Sequence, residues 1–377
     1  MKCHSNDVIP LIRPTLPDMG KVLEMFRQSS EDGAVTSAQT VATFEDEACR
    51  FTGAAHAVAV SSCTSGLILA FAALEFPEGA EVVVPSFTFA ATVEAVAWNR
   101  LVPVYVDCLP GTMTIDPDEV VKAIGKKTAA VCPVNIFGLP PDLDSLNYVS
   151  AKYGIPLVFD SAQGLGATFR EKQTGGFGVC EVFSLSPTKV ITAIEGGLVT
   201  TNDQRLAEKI RCMRDYGKGP DGEDMVFNGL SARMSELHGA VGLLGLRDAK
   251  RLISARLRLI ERYRVHAAEL PGCRVQEFPD DRTSSGNYFT LLIGNEAKLD
   301  RDSVQERLES CHIQTKRYFH PPVHIQTAFR TRPHRIIGDL PNSWSASRES
   351  LALPLYAHLT DRQQDRVCGE LEVLLQK

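Results

Sequence analysis

Asp160 closes the apolar run Ile155-Pro156-Leu157-Val158-Phe159, and Lys189 follows Val182-Phe183-Ser184 after Leu185-Ser186-Pro187-Thr188. Both charges fall where apolar strands end, the rim at which open α/β sheets bind ligands. A carboxylate there can keep a heteroaromatic ring nitrogen protonated, and a lysine, when neutral, can attack an aldehyde to form an imine. Gln163, just past Asp160, is placed to hydrogen-bond or pack near an oxygen on such a ring. Phe89, after Pro85-Ser86-Phe87-Thr88, offers it a flat face.

A phosphate site is expected upstream. The run Ala57-Val58-Ala59-Val60 leads into Ser61-Ser62-Cys63-Thr64-Ser65-Gly66 and then the apolar helical segment Leu67-Ile68-Leu69-Ala70-Phe71. Small hydroxyl residues at a helix start offer free N–H groups, side-chain donors and the positive end of the dipole, which suit a phosphate dianion. Singly, each feature has a plain structural reading: an N-cap for Asp160 and for the hydroxyls, a solvated loop residue for Lys189, a core ring for Phe89. Jointly they point to pyridoxal phosphate chemistry, with an imine-forming lysine and a carboxylate at the ring nitrogen. There is no Walker or G-x-G-x-x-G pattern. Ser186-Pro187-Thr188-Lys189 also fits the S-x-x-K of serine acyl-enzymes, but S-D-N and K-T-G are absent and Pro187 is ill placed in a helix.

The elements that must position these residues alternate. His56 to Val60, Glu81 to Val84, Leu101 to Val106 and Ala129 to Val134 read as short buried strands. Leu67 to Leu74, Pro117 to Ile124 and Leu143 to Tyr153 read as helices. This is the pattern of an α/β fold with a doubly wound, mostly parallel sheet. Past Arg233 the pattern changes: Ser235 to Leu270 reads as one long helix or two, and the run Tyr288 to Ile293 belongs to a small α+β domain. The expected organisation is residues 1–245 as an N-terminal segment and large cofactor-binding domain, with 246–377 as the small C-terminal domain.

Composition agrees with an enzyme of that size. At 377 residues the chain exceeds a single core, which stops growing near roughly 250–300 residues. A net charge of -6 with 23% charged residues argues against nucleic acid or an anionic membrane as partner. The ten cysteines, Cys3 to Cys368, lack C-x-x-C pairs and Cys/His zinc spacing, so no metal is expected. Cys132 and Cys180, inside apolar runs, are expected to be buried thiols. No apolar run at the start has signal-peptide length and none reaches the ~20 residues of a membrane span, so a cytoplasmic location is expected.

An ordered series of motifs carries a resemblance. It includes Thr36, Phe44-Glu45, Val60 to Thr64, Pro85 to Phe89, Phe137 to Asp142, Asp160 to Gln163 and Gly175 to Gly178. It continues with Phe183-Ser184, Lys189, Glu195 to Gly197, Arg233 to Glu236, Pro321 to His324 and Leu353 to Leu355. Over nearly its whole length the chain resembles the DegT/DnrJ/EryC1/StrS family of pyridoxal phosphate-dependent sugar aminotransferases. The resemblance implies fold type I, the aspartate aminotransferase-like fold, and a homodimer with shared active sites. It implies Lys189 as the residue forming the internal aldimine, Asp160 at the pyridinium and Gln163 at the ring or its hydroxyl. It further implies Thr64, Ser65 and Ser184 at the phosphate and Phe89 stacked on the ring. Where the family commonly has Gly, His and Asn, this chain has Cys63, Asn135 and Ser231. That Asn reaches the phosphate of the partner subunit's cofactor, and Ser231 retains a shorter donor there. Arg233, Tyr318, His320 and His324 are candidates for the sugar or diphosphate.

The implied reaction is a ping-pong transfer from an amino-acid donor, glutamate or glutamine, to a nucleotide-linked keto-deoxysugar. Ile9-Pro10-Leu11-Ile12-Arg13-Pro14 looks more like members acting at C4 of the sugar than at C3. The alternatives are a cyclitol ketone as acceptor, or a catalytically silent cofactor-binding regulator. Sugar dehydratases of the family replace the lysine with histidine, and Lys189 argues against that activity.

Overall fold

A mixed sheet occupies the centre of the computed structural model, which describes residues 7–219 and 221–376. One four-stranded half runs His56–Val60, Gly197–Thr201, Cys180–Ser184, Val158–Asp160, and the other Arg335–Ile336, Val102–Val106, Glu81–Pro85, Thr128–Val131. Parallel bridges from Val131 to Leu157 and from Val134 to Asp160 join the halves. Only Gly197–Thr201 runs antiparallel to its neighbours, so the sheet is mostly parallel, as the alternating pattern implied.

Side-chain alternation sets the two faces. Val82 and Val84 pack with the helices Cys63–Ala73 and Ala90–Trp98, whereas Val83, between them, packs with Pro117–Ala123 and Leu143–Tyr153 on the other side. Burial on both faces explains why these strands read as continuous apolar runs. The strand expected to reach Val134 stops at Val131, because Pro133 has no N–H to give the ladder. The helix expected from Leu67 begins at Cys63, where Ser62 Oγ accepts the Ser65 N–H at 3.0 Å. Ser235 to Leu270 forms two helices, Glu236–Arg247 and Ala249–Ala267, parted at Asp248.

A second core surrounds the three-stranded sheet Cys273–Val275, Phe289–Ile293, Ser350–Leu353, covered by Ala249–Ala267, Arg301–Ser310 and Asp361–Leu375. Ile9 belongs to it through a bridge to Ile313, while Val323, Phe329 and Leu340 return to the first core. The two cores therefore exchange segments of chain. Cys132 and Cys180 are buried, the described cysteines are all free thiols, and Cys3 lies outside the described residues. No helix among the described residues is long and apolar enough to cross a membrane.

One helix start is capped from far along the chain. Gln39–Thr52 has Ala38 at its N-cap, which carries no acceptor. Glu236, fully buried, fills the role: Oε1 accepts from Ala38 N at 2.8 Å and Val41 N at 3.1 Å, and Oε2 from Thr40 N at 2.7 Å. Glu236→Ala leaves these buried donors unpaired, each worth about 1–3 kcal/mol, so urea unfolding should show a loss of at least ~3 kcal/mol. A loss below ~1 kcal/mol would contradict this capping role.

Candidate active site

Asp160 ends the strand Val158–Asp160 with its backbone clamped on both sides. Its N–H donates to Pro133 O at 2.9 Å, and its C=O accepts from Asn135 N at 3.1 Å. The side chain is 3% exposed; Oδ2 accepts from Thr92 Oγ1 at 2.6 Å and Oδ1 from Ala162 N at 3.1 Å. Thr92 is itself held by Thr88, with the hydroxyls 2.8 Å apart. Burial pushes the carboxyl above its ordinary value, and the Thr92 and Ala162 donors and the Lys189 charge recover only part of that shift.

Lys189 lies on the loop between the Cys180–Ser184 and Gly197–Thr201 strands. The loop is pinned by Leu185 N to Gly196 O at 2.9 Å, Ala193 N to Leu185 O at 2.8 Å, and Lys189 N to Ser186 O at 3.0 Å. Near its end Ile194 sits at φ 67°, a left-handed conformation costly for a β-branched residue, which turns the chain into Glu195.

These elements enclose a cavity of about 330 Å³ lined by Asp160 and Lys189. Thr64, at the start of the Cys63–Ala73 helix, and Ser184, Ser186 and Thr188 contribute hydroxyls to its lining. The cap there takes the Ser65 N–H, leaving those of Cys63 and Thr64 to an external acceptor. Gly197 permits this approach: a Cβ on it would lie 2.5 Å from Ser62 C and O. The rings of Phe89, Tyr318, Phe319 and Tyr288 also line the cavity, the last with Lys189 Nζ 5.8 Å from its centroid. Phe89 is 57% exposed, unlike a core ring. Gln163 is fixed by Phe137 N, which donates to its Oε1 at 2.6 Å.

Five expected residues lie elsewhere. Ser65 does not line the cavity, because its Oγ accepts from Ser62 N at 3.1 Å and donates to Ser62 O at 2.8 Å as part of the cap. Ser231 and Arg233 line a neighbouring hollow of about 290 Å³, which shares Glu195 with the main cavity. Arg233 is paired there with Asp215. His324 is a core residue, with Nδ1 2.6 Å from Ser86 Oγ, and His320 contacts Ser347 Oγ at 3.1 Å. Sequence reasoning marked Glu195 only as part of a motif and passed over Thr92, Tyr288 and Lys316, which hold Asp160 or line the cavity. Only Thr92 carried a local signal, its helical spacing from Thr88.

This constellation on a mostly parallel α/β sheet is that of an aminotransferase. The chain belongs to the DegT/DnrJ/EryC1/StrS aminotransferase family, which it matches over residues 18–372. It is 32% identical over 339 residues to GDP-perosamine synthase of Caulobacter vibrioides, covering 89% of this chain and 90% of that protein. It also resembles the crystal structure of DesI in the presence of its TDP-sugar product, with TM-score 0.91 and 32% identity over 99% of this chain and 94% of that one. A third likeness is to the crystal structure of S. venezuelae DesV in complex with a ketimine intermediate: TM-score 0.90, 28% identity, 97% of this chain and 99% of that one.

Because Asp160 binds its proton more tightly folded than unfolded, the ligand-free protein should lose stability as pH rises above the ordinary carboxyl range. Asp160→Asn lacks that loss. Thermal unfolding of the ligand-free pair from about pH 4 to about pH 7 should move steadily in the variant's favour; a constant difference would contradict the assignment.

Proposed function

We propose that the protein uses pyridoxal phosphate to move an amino group from an amino acid, glutamate or glutamine, to a nucleotide-linked keto-deoxysugar. The observation that carries this reading is one cavity holding Lys189, the buried Asp160 and the unused N–H groups of a helix start. The sugar-nucleotide relatives support it. The residues fit the cofactor: a buried carboxylate with accepting capacity left for a ring N–H, and hydroxyl donors suited to a phosphate.

When bound, the cofactor supplies an aldehyde for amine exchange and a protonated ring that withdraws electrons from the substrate carbon. Asp160 would keep the ring nitrogen protonated. Thr64, Ser184 and the helix start would hold the phosphate, with Phe89 and Gln163 available to the ring. Lys189 Nζ takes a proton from the substrate carbon in the donor half-reaction and returns one in the acceptor half-reaction, a ping-pong sequence. Tyr318 and Lys316 face the acceptor, and a lysine there favours a diphosphate-bearing ketone over a plain cyclitol.

The proposed assembly is a homodimer in which a second copy covers the hollow containing Ser231 and Arg233. Exposed Tyr216, Met225, Val226 and Leu230 near that hollow support it. A cytoplasmic location and a division into 1–245 and 246–377, apart from the segments the cores exchange, complete the proposal.

Lys189→Ala should cut turnover by about 10³-fold or more, read as failure of glutamate to bleach the absorbance of bound cofactor; wild-type rates would overturn the mechanism. Thr64→Val removes a hydrogen bond to a charged group, about 1.5–3 kcal/mol, and should weaken cofactor affinity roughly 10- to 100-fold. Ser65→Ala should instead lower stability by about 1 kcal/mol with cofactor affinity retained.

A further inference from the structure

Glu181 is fully buried within the strand Cys180–Ser184. Val182 beside it packs against Gly66 of the Cys63–Ala73 helix, so pleating turns Glu181 to the other face of the sheet. There its partners are neutral donors: Oε1 accepts from Gly175 N at 2.5 Å and Phe177 N at 2.9 Å, and Oε2 from Ser161 Oγ at 2.7 Å. A carboxylate taken out of water without a cation is costly and depends on such bonds. Burial pushes the carboxyl up to about 7, against the pull of these same three donors. Oε1 alone satisfies the turn from Gly175 to Phe177. Oε2 serves a different segment, and that segment leads to the active-site cavity.

The rim of that cavity alternates as the strands do. Val134, Ile136, Asp160 and Ala162 line it, whereas Asn135 and Ser161, lying between them in sequence, are fully buried and do not. Asn135 Nδ2 donates to Ser161 Oγ at 3.1 Å. Its Oδ1 has no partner, so among the described residues the bond to Ser161 is what orients this amide. The amide lies against Gly164, where an added Cβ would collide with Nδ2. Asn135 N in turn donates to Asp160 O at 3.1 Å, and Phe137 N donates to Gln163 Oε1 at 2.6 Å. A chain of hydrogen bonds therefore runs from Glu181 through Ser161 and Asn135 to the peptide of Asp160.

We propose that Glu181 is a positioning residue for cofactor binding, its Oε2 acting through Ser161 and Asn135 to fix the rim that carries Asp160 and Gln163. Glu181 does not line the cavity, so its effect reaches the cofactor only through these neighbours. Binding groups act at full strength when held to about 0.5 Å by packed, hydrogen-bonded support. The inference rests on the pyridoxal phosphate reading above.

Glu181→Gln separates the two oxygens. The amide oxygen can still take the Gly175 and Phe177 N–H groups, but its NH2 offers Ser161 a donor where Oε2 was an acceptor. The test titrates pyridoxal phosphate into the full chain and follows cofactor absorbance for wild type, Glu181→Gln, Ser161→Ala and the double variant. Each single variant should bind the cofactor about 10-fold more weakly, within the usual range for coupled neighbours. The double variant should be no weaker than the weaker single, because both changes cut one chain. In the loaded enzyme, kcat should fall in either single variant with the KM for glutamate nearly unchanged. Wild-type cofactor affinity in Glu181→Gln would overturn the proposal. So would a double variant whose loss is the product of the two single losses, the result expected if Glu181 only braces the turn. Thermal unfolding of the cofactor-free chains checks the fold, and if Glu181→Gln does not fold, wild-type affinity in Ser161→Ala overturns the proposal by itself. A wild-type chain that takes up no cofactor would instead overturn the pyridoxal phosphate reading, and this inference with it.

Discussion

A carboxylate placed where ionisation is disfavoured organises this site. Asp160 has left bulk water, and its two hydrogen bonds, from Thr92 and Ala162, do not return its carboxyl to the ordinary range. A cation brought into the cavity would complete it, and a protonated ring nitrogen is such a cation. The neighbouring structure holds the carboxylate in place. Thr88 fixes Thr92, the backbone of Asp160 is bound on both sides by the Pro133 to Asn135 segment, and the strand beneath is buried on both faces.

The same sheet sets the distances to the other groups. Asp160 and Ser184 end adjacent parallel strands, while Gly197 begins the antiparallel strand beside Ser184, across from the start of the Cys63–Ala73 helix. Lys189 hangs from the loop between the latter two strands, so its amine enters the cavity that Asp160 floors. Strain at Ile194 is concentrated in this loop, where the chain must turn sharply to bring Glu195 to the boundary of both hollows.

The legible part of the site was the part written locally. Asp160, Lys189 and the helix-start hydroxyls each followed an apolar run whose length and neighbours gave the strand or helix, and parallel topology then brought their ends to one rim. What stayed hidden depends on contacts remote in sequence. Glu236 caps a helix at Ala38 to Val41, Tyr288 just before the Phe289–Ile293 strand and Lys316 bridged to Ala352 reach the cavity from the C-terminal part of the chain, and nothing near them in sequence marks these roles. Ser65 and His324 misled for the opposite reason: their residue types suit ligand binding, but a cap and a core hydroxyl occupy them. The crossing of Ile9 and of the segment around Val323 to Leu340 between cores was likewise invisible to periodicity.

The most direct test of the central claim follows a nitrogen atom. Full-length protein loaded with pyridoxal phosphate is given glutamate labelled with nitrogen-15 and a nucleotide-linked 4-keto-6-deoxysugar, and both products are measured by mass spectrometry. The account predicts labelled amino sugar nucleotide and 2-oxoglutarate in equal amounts, with neither formed by Lys189→Ala. Release of 2-oxoglutarate without label in any sugar nucleotide supplied, or labelled product from Lys189→Ala at the wild-type rate, would contradict it.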